Sequence, residues 1–212
     1  MKPSYRFYRF GYRVCRILLG IVYRLNFIGR ENIPEGAALV CVNHSSVLDP
    51  ILTAFAFGIG THIRVIAKHE LFKIPVLSAV VKLLGAISVK RGATDVEFLK
   101  GVIGCLKNDA KVVIFPEGTR IATDDADAAK SGSIRIAERA GVPMIPIYIP
   151  RRKPLFHKLN IVIGKPSYIE KTDTKRSKED YLLLSKKLMD DIYALDVTDV
   201  TAESRAVGQR SR

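Results

Sequence analysis

Residues 37–57 read AALVCVNHSSVLDPILTAFAF, and this stretch decides the class of fold. Ala37–Val42 is apolar at every position, which predicts a strand that is buried on both of its faces. The polar residues that follow end in Asp49-Pro50, which predicts a turn and then a helix over residues 50–57. A doubly buried strand followed by a helix is typical of a parallel sheet that is covered by helices.

The same alternation of strands and helices continues along the chain. Further strands are predicted at residues 64–67, 86–90, 112–115, 144–149 and 160–163, and further helices at residues 75–84, 95–106 and 133–139. A capping box at Ser177–Asp180 opens a last helix, and the chain is polar from about residue 198. We therefore predict an α/β fold with a mostly parallel mixed sheet over residues 31–196, and a flexible tail over residues 197–212.

Positive charge is concentrated at the start of the chain. The protein has 212 residues and a net charge of +13, and residues 1–30 contain seven basic residues and no acidic one. Such an asymmetric charge favours a basic segment that binds an anionic surface, either a membrane or a nucleic acid.

Residues 3–25 are predicted to form an amphipathic helix. On a helical wheel the basic residues of this segment share an arc of about 80°, and Phe7, Phe10, Val14, Ile17 and Ile21 lie on another side, with tyrosines flanking the basic arc. Its uncharged runs are far shorter than the ~20 residues that span a bilayer. We expect a helix that lies in the interface of a membrane at the cytoplasmic face, rather than one that binds nucleic acid. The alternative is a helix packed on the domain, with its basic side in water.

Several chemistries have no signature in the sequence. Cys15, Cys41 and Cys105 form no pair of metal-binding or disulfide spacing, and the four histidines lack the spacing of a zinc site. No G-x-S-x-G, P-loop or dinucleotide-binding glycine pattern is present. We expect neither a metal nor a cofactor.

His44 and Asp49 form the candidate catalytic pair. They follow the first buried strand, and ligands of such sheets bind at the carboxyl ends of the strands. A turn before Pro50 would let the carboxylate orient the imidazole as a general base for a hydroxyl. Alternatively, Asp49 is only the N-cap of the following helix and His44 is an ordinary loop histidine.

Cations follow three more of the predicted strands. Lys68, Arg91 and the segment Glu117-Gly118-Thr119-Arg120 each come after a strand. Arginine grips phosphate through paired donors, and a glycine lets an anion approach the backbone. The pattern indicates an anionic, phosphorylated substrate beside the His44/Asp49 pair.

Five segments of this chain resemble the ordered motifs of the 1-acylglycerol-3-phosphate acyltransferases. They are Asn43-His44-x-x-x-x-Asp49-Pro50, Lys68–Pro75, Gly85–Arg91, Phe115-Pro-Glu-Gly-Thr-Arg120 and Val142-Pro-Met-Ile-Pro146. The resemblance implies transfer of an acyl chain from acyl-CoA or acyl-carrier protein to the sn-2 hydroxyl of lysophosphatidic acid, which gives phosphatidic acid at a membrane surface.

The resemblance also implies roles for single residues. His44 is the base and Asp49 its orienting partner, while Lys68, Arg91, Glu117, Gly118, Thr119 and Arg120 bind the acceptor and its phosphate, and Val142, Pro143 and Pro146 shape the acyl or thioester region. The segment after Arg120 departs from the family pattern, because Ile121 and the acidic, alanine-rich residues 122–129 replace its usual Ser and later Phe-Lys-x-Gly. We expect an altered loop beside the site. Two alternatives are an acyltransferase for glycerol-3-phosphate or another lysolipid, and a non-catalytic lipid-binding adaptor.

Overall fold

A single mixed sheet organises the protein. The computed structural model describes residues 5–61, 63–68, 73, 78, 86–89, 95–170, 172 and 174–197. The strands of these residues are β1 (Arg24–Ile28), β2 (Ala38–Val42), β3 (Ile63–Lys68), β4 (Ile87–Val89), β5 (Lys111–Ile114), β6 (Met144–Tyr148) and β7 (Lys158–Ile163). Their order across the sheet is β1-β7-β6-β2-β5-β3-β4. Only the β6–β7 pair among these is antiparallel, so the predicted mostly parallel mixed sheet is confirmed.

Helices cover both faces of the sheet. Those of the described residues are α1 (Tyr5–Val22), α2 (Asp49–Phe57), α3 (Asp95–Lys107), α4 (Gly132–Ala140) and α5 (Lys178–Tyr193). The predicted capping box opens α5, where Ser177 and Asp180 exchange hydrogen bonds with each other's backbone N–H groups. The predicted helix over residues 75–84 lies outside the described residues.

The central strand β2 is buried on both faces, as its apolar run predicts. All five of its residues have no exposed surface. Val40 packs with Leu52 and Phe55 of α2 on one side of the sheet. Leu39 packs with side chains of α3, α4 and α5 on the other side. This double burial fixes the register of β2, and so fixes where its carboxyl end presents the following residues.

The sequence prediction was wrong about the end of the N-terminal helix. The helix ends at Val22, and Arg24–Ile28 forms β1, which pairs in parallel with β7 at one edge of the sheet. In β1 the side chains of Leu25 and Phe27 pack against the core, while Arg24 is exposed. Because these residues belong to the sheet, α1 joins the α/β layer without a linker.

One side of α1 packs on the domain. Tyr8 is buried, and Tyr12 meets the ring of Phe55 edge to face at 5.0 Å. Arg16 also turns inward, since its guanidinium lies 5.6 Å from the ring of Phe27.

The opposite side of α1 leaves a row of apolar side chains in solvent. Phe10 is 66% exposed, Ile17 65% and Ile21 67%, and Val14 and Leu18 complete the row. We call these five residues the apolar face of α1. Among the described helices, none has both the length and the apolar character that crossing a bilayer requires.

Asn43 fixes the chain where it leaves β2. Its buried side-chain amide donates to the carbonyl of Ile149 at 2.8 Å, and its Oδ1 accepts from the N–H of Ile149 at 2.8 Å. The side chain thus adds one more hydrogen-bonded link between the chains of β2 and β6, one residue beyond the end of each strand. It aligns the two segments that carry His44 and Arg151.

We expect Asn43→Ala to destabilise the fold by about 2–4 kcal/mol, because it leaves two buried backbone groups of Ile149 without partners. Urea unfolding followed by far-UV circular dichroism measures the change. Asn108→Ala is the matched control, since the Asn108 side chain is exposed and makes a single bond to Gly104, and its effect should stay within about 0.5 kcal/mol. Equal losses in the two variants would contradict the bridging role of Asn43.

Candidate active site

His44 and Asp49 face each other at the carboxyl end of β2. His44 Nδ1 lies 3.1 Å from Asp49 Oδ2, and the same oxygen accepts the backbone N–H groups of Ser45 and Ser46 at 2.7 Å each. Helix α2 begins at Asp49 itself, and Leu48 occupies the N-cap position. The carboxylate is therefore directed back to the turn and the imidazole, as the turn before Pro50 predicts.

The Asp49 carboxyl is buried but remains ionised. Burial alone would raise its pKa. The hydrogen bond with His44, the charge of Lys153 and the N–H groups of Ser46 and Ser45 together outweigh burial and hold the pKa of Asp49 below its ordinary value. Asp49 is thus an anion at neutral pH and can orient a neutral imidazole.

The His44 ring is partly exposed, and its second nitrogen makes no contact with Asp49. It stacks on Phe115 with ring centroids 4.0 Å apart, and its side chain is 18% exposed. An N–H on Nδ1 that points to Asp49 leaves the lone pair on Nε2. Nε2 is thus the nitrogen that can take a proton from a bound hydroxyl.

Glu117 holds the backbone of His44 from the neighbouring strand. It follows β5 and is almost wholly buried, and its Oε2 accepts the His44 backbone N–H at 2.7 Å. Its Oε1 accepts from Arg151 at 2.8 Å and from the Tyr193 hydroxyl at 2.9 Å. The carboxylate of Glu117 is thus occupied within the protein, whereas the resemblance implied contact with the acceptor.

Arg151 is a central residue of the site that the sequence analysis missed. It follows β6, and its guanidinium donates to Glu117, to Asp124 and, at 2.8 Å, to the carbonyl of Ile121. Burial alone would lower the pKa of Arg151, but the bonds to Glu117 and Asp124 hold it above its ordinary value. The rule that found the other cations, a basic residue just after a strand, applies equally to Arg151.

Lys153 is a second residue that the sequence analysis missed. Its side chain is 6% exposed, and its Nζ lies 3.0 Å from Asp49 Oδ1. It also donates to Ser45 Oγ at 3.0 Å. Lys153 therefore adds a buried positive charge on the side of Asp49 away from His44.

Residues 118–120 form an open loop at the same edge of the sheet. Thr119 and Arg120 are exposed, as an acceptor-binding role requires. Gly118 has φ +70°, and a Cβ there would lie within 3 Å of the Lys130 side chain. The glycine thus makes room for Lys130, rather than for a ligand directly over its Cα.

The segment that departs from the family pattern lies beside the site. The N–H of Ile121 donates to the carbonyl of His44 at 3.0 Å, and Asp124 pairs with Arg151. The Tyr193 hydroxyl reaches the carbonyl of Asp125 at 3.3 Å. Residues 121–125 therefore connect residues 44–49, which we call the catalytic turn, to the end of α5.

The structure does not bring the expected acyl-region residues to this edge. Val142 and Pro143 are buried just before β6, at the amino end of the sheet, because β6 runs parallel to β2. Pro146 is buried within β6, close to Gly164. The structure thus places these three residues in the core, and their assignment to the acyl or thioester region stays a prediction.

The remaining predicted residues are only partly described. Lys68 ends β3 at the carboxyl edge, but the structure describes its backbone alone, and Arg91 lies outside the described residues. Cys41 is buried, and burial raises the pKa of its thiol, so it is poorly placed as a nucleophile. Within the described part of the chain, no three His, Cys, Asp or Glu side chains cluster as a metal site would need.

Comparison with known proteins identifies relatives over most of the domain. A family model described as acyltransferase matches residues 24–150. The chain is 33% identical over 129 residues to the chloroplastic 1-acyl-sn-glycerol-3-phosphate acyltransferase LPAT1 of Arabidopsis thaliana, a match that covers 59% of this chain and 35% of that one. It is 32% identical to the 1-acyl-sn-glycerol-3-phosphate acyltransferase of Pseudomonas aeruginosa, over 66% of this chain and 53% of that one. The chain thus spans between a third and just over half of the length of these two relatives.

Two further matches extend over nearly the whole chain. The 1-acyl-sn-glycerol-3-phosphate acyltransferase of Bacillus subtilis is 27% identical, over 89% of this chain and 96% of that one. The crystal structure of the 1-acyl-sn-glycerophosphate (LPA) acyltransferase PlsC from Thermotoga maritima superposes with a TM-score of 0.60 and 26% identity, over 91% of this chain and 79% of that one. The α/β fold is thus shared with a solved acyltransferase.

We expect Glu117→Gln to destabilise the protein by about 3 kcal/mol, because it removes the charge that faces the buried guanidinium of Arg151. Urea unfolding at neutral pH measures the loss. Asp127→Asn is the control: it breaks the ion pair with Lys186, which is exposed, and should change stability little. A Glu117→Gln protein as stable as the Asp127→Asn protein would contradict the structural role of this network.

Proposed function

We propose that this chain, which belongs to the acyltransferase family, transfers an acyl group from a thioester to the sn-2 hydroxyl of lysophosphatidic acid and so makes phosphatidic acid. The observation that carries the proposal is the contact between His44 and the buried Asp49 at the carboxyl edge of the sheet. The names of the relatives supply the substrate class, since they are 1-acyl-sn-glycerol-3-phosphate acyltransferases.

The imidazole of His44 is the base of the proposed reaction. Nε2 takes the proton of the acceptor hydroxyl as its oxygen attacks the thioester carbonyl, which gives a tetrahedral intermediate. Collapse of that intermediate breaks the carbon–sulfur bond, forms the ester and releases the thiolate. The proton on Nε2 then passes to the sulfur, which restores His44. Asp49 stabilises the imidazolium between these two proton transfers.

Acyl-CoA or acyl-carrier protein is the proposed donor. A thioester is already activated toward attack by a hydroxyl, so the proposed reaction uses no metal and no further cofactor. The sulfur leaves as a free thiol, which gives a direct assay for turnover.

Cations at the same edge are proposed to bind the phosphate of the acceptor. Arg120 is exposed on the loop after β5, and β3, which neighbours β5 in the sheet, ends at Lys68. The proposal gives Arg91 the same role, on the resemblance alone. Arginine and lysine there would bind the headgroup while the hydroxyl lies at His44.

We also propose that the apolar face of α1 lies in the interface of an anionic membrane. Side chains such as Phe10, Ile17 and Ile21 are exposed in a row, and the neighbouring Arg9 and Arg13 are exposed beside them. This arrangement of an apolar row next to a basic one is typical of interfacial helices. It would place a peripheral enzyme at the level of lipid headgroups, where its acceptor is found.

Two more apolar side chains extend this surface toward the active site. Leu155 is 59% exposed and Phe156 is 69% exposed, and the Phe156 N–H donates to the carbonyl of Val22 at 2.7 Å. Phe156 has φ 63°, which is an unfavourable conformation for a bulky residue. Because Lys153 contacts Asp49, this segment leads from the active site to the end of α1 within a few residues.

We expect His44→Ala to abolish release of thiol from acyl-CoA in the presence of lysophosphatidic acid, because no base remains at the hydroxyl. A colour reagent for free thiols follows the reaction, and a loss of at least 100-fold in kcat is expected for a general base. His157→Ala is the control, since this exposed histidine should leave turnover unchanged. Turnover that survives in His44→Ala would contradict the assignment.

The same assay with a panel of acceptors tests the substrate class. Lysophosphatidic acid, glycerol-3-phosphate and lysophosphatidylcholine should be compared at equal concentrations. Preference for glycerol-3-phosphate or lysophosphatidylcholine would replace the proposed acceptor by another within the family. Lipid binding without turnover on any acceptor would instead support a non-catalytic adaptor.

We expect the double variant Ile17→Glu, Ile21→Glu to bind vesicles of phosphatidylglycerol and phosphatidylcholine at least tenfold more weakly than the wild type. Burying each of these side chains is worth about 1.5–3 kcal/mol, and the added charge opposes anionic lipid. Leu182→Glu, Leu183→Glu on α5 is the control, because these residues are exposed but lie away from α1. Sedimentation with vesicles measures binding, and equal binding by both double variants would show that the membrane contact lies elsewhere.

A further inference from the structure

The two oxygens of the Asp49 carboxylate have different surroundings. Oδ2 receives three donors, from His44 Nδ1 and the N–H groups of Ser45 and Ser46. Oδ1 is buried and receives no hydrogen bond of standard geometry from any described residue. A buried carboxylate with one uncompensated oxygen is costly unless a charge lies nearby.

Lys153 supplies that charge. Its Nζ lies 3.0 Å from Oδ1, and its side chain is nearly buried. A second contact, from Nζ to Ser45 Oγ at 3.0 Å, fixes the ammonium against the catalytic turn. A long side chain that is almost wholly buried and has two polar contacts at its tip is a positioned group and not a solvated surface lysine.

We propose that Lys153 is a positioning residue for the His44–Asp49 pair: it holds the second oxygen of Asp49 and so orients the carboxylate toward His44. This inference rests on the proposed function, since it assigns Lys153 a task in the same site. His44 is held from three sides by separate segments, namely Asp49 at its ring, Glu117 at its N–H and Ile121 at its carbonyl. Lys153 acts on the contact between Asp49 and the His44 ring.

The charge of Lys153 affects how readily the His44–Asp49 pair takes up a proton. Among the residues that the structure describes, the charged groups that face His44 and Asp49 are Lys153 and Arg151 from the segment after β6 and Glu117 from the segment after β5. An ammonium on Asp49 opposes the uptake of a proton by the pair. We therefore expect loss of this ammonium to make proton uptake at the site easier, which the pH dependence of turnover would register.

The test compares Lys153→Met, Lys153→Arg and the control Arg152→Met, which removes the same charge from the exposed neighbour. The dependence of kcat/KM on pH is measured for thiol release from acyl-CoA with lysophosphatidic acid. We expect Lys153→Met to lower kcat at least tenfold and to move the acid limb of the profile to higher pH by about half a unit to one unit. Lys153→Arg should keep the acid limb of the wild type, and Arg152→Met should change neither quantity.

A second measurement is independent of turnover. The lowered pKa of Asp49 means that its contribution to stability is present above the ordinary pKa of an aspartate and is lost as the pH falls through the folded-state pKa. Without Lys153 that pKa lies closer to its unfolded value, so Lys153→Met should lose less stability between pH about 5 and pH about 2 than the wild type. Urea unfolding across this range measures the difference.

These outcomes separate the two proposals. A Lys153→Met profile that matches Arg152→Met, or a loss of kcat with no shift of the acid limb and no recovery in Lys153→Arg, would overturn the positioning role. Absence of wild-type turnover on every acceptor would instead overturn the proposed function. In that case the acid unfolding of Lys153→Met still decides whether Lys153 compensates Asp49.

Discussion

A buried carboxylate, that of Asp49, is the constraint on which the rest of the site depends. An anion without surface exposure is stable only where donors and opposite charge replace water. Here the catalytic turn itself supplies two of the donors, through Ser45 and Ser46, and the imidazole of His44 supplies the third. The need to compensate Asp49 therefore shapes the turn, and the shape of the turn places His44.

A second carboxylate holds the same histidine by its backbone. Glu117 accepts the His44 N–H while it pairs with Arg151 and Tyr193, and so links β2, β5, β6 and the end of α5. Loss of the Glu117 carboxylate would leave the His44 N–H, the Arg151 guanidinium and the Tyr193 hydroxyl without this acceptor. The stabilities of these contacts therefore depend on one another. A general base of this kind needs only an imidazole and one carboxylate. In this protein the position of the imidazole is also set by Glu117, Arg151 and Tyr193, which have no part in the proposed proton transfer.

The sequence predicted the elements whose burial pattern is uniform along a segment. It did not predict the boundary between α1 and β1, or the contacts between segments that are far apart in the chain. The continuous apolar run of β2 predicted a sheet covered on both faces, with the site at the carboxyl ends of its strands. The turn at Asp49-Pro50 predicted that His44 and Asp49 face each other. Residues 24 and 25 were assigned to the helix because Arg24 continues its basic arc, although Leu25 and Phe27 alternate with polar residues as a strand requires. Arg151 and Lys153 could have been found by the rule of cations after strands, but their partners in distant segments of the chain could not, since only the fold brings them together.

The N-terminal helix shows how one segment can pack on a domain and still present an apolar surface. At about 100° per residue, the packed Tyr8 and Tyr12 lie half a turn from the exposed Ile17 and Ile21. A soluble acceptor gives no reason to leave such a row in water, whereas a lipid acceptor does. The segment that ends at Phe156, beside α1, starts from Lys153 at the Asp49 carboxylate, and three residues span at most about 11 Å. In the proposed function, this short stretch of backbone connects the surface that would face the membrane with the carboxylate that contacts His44.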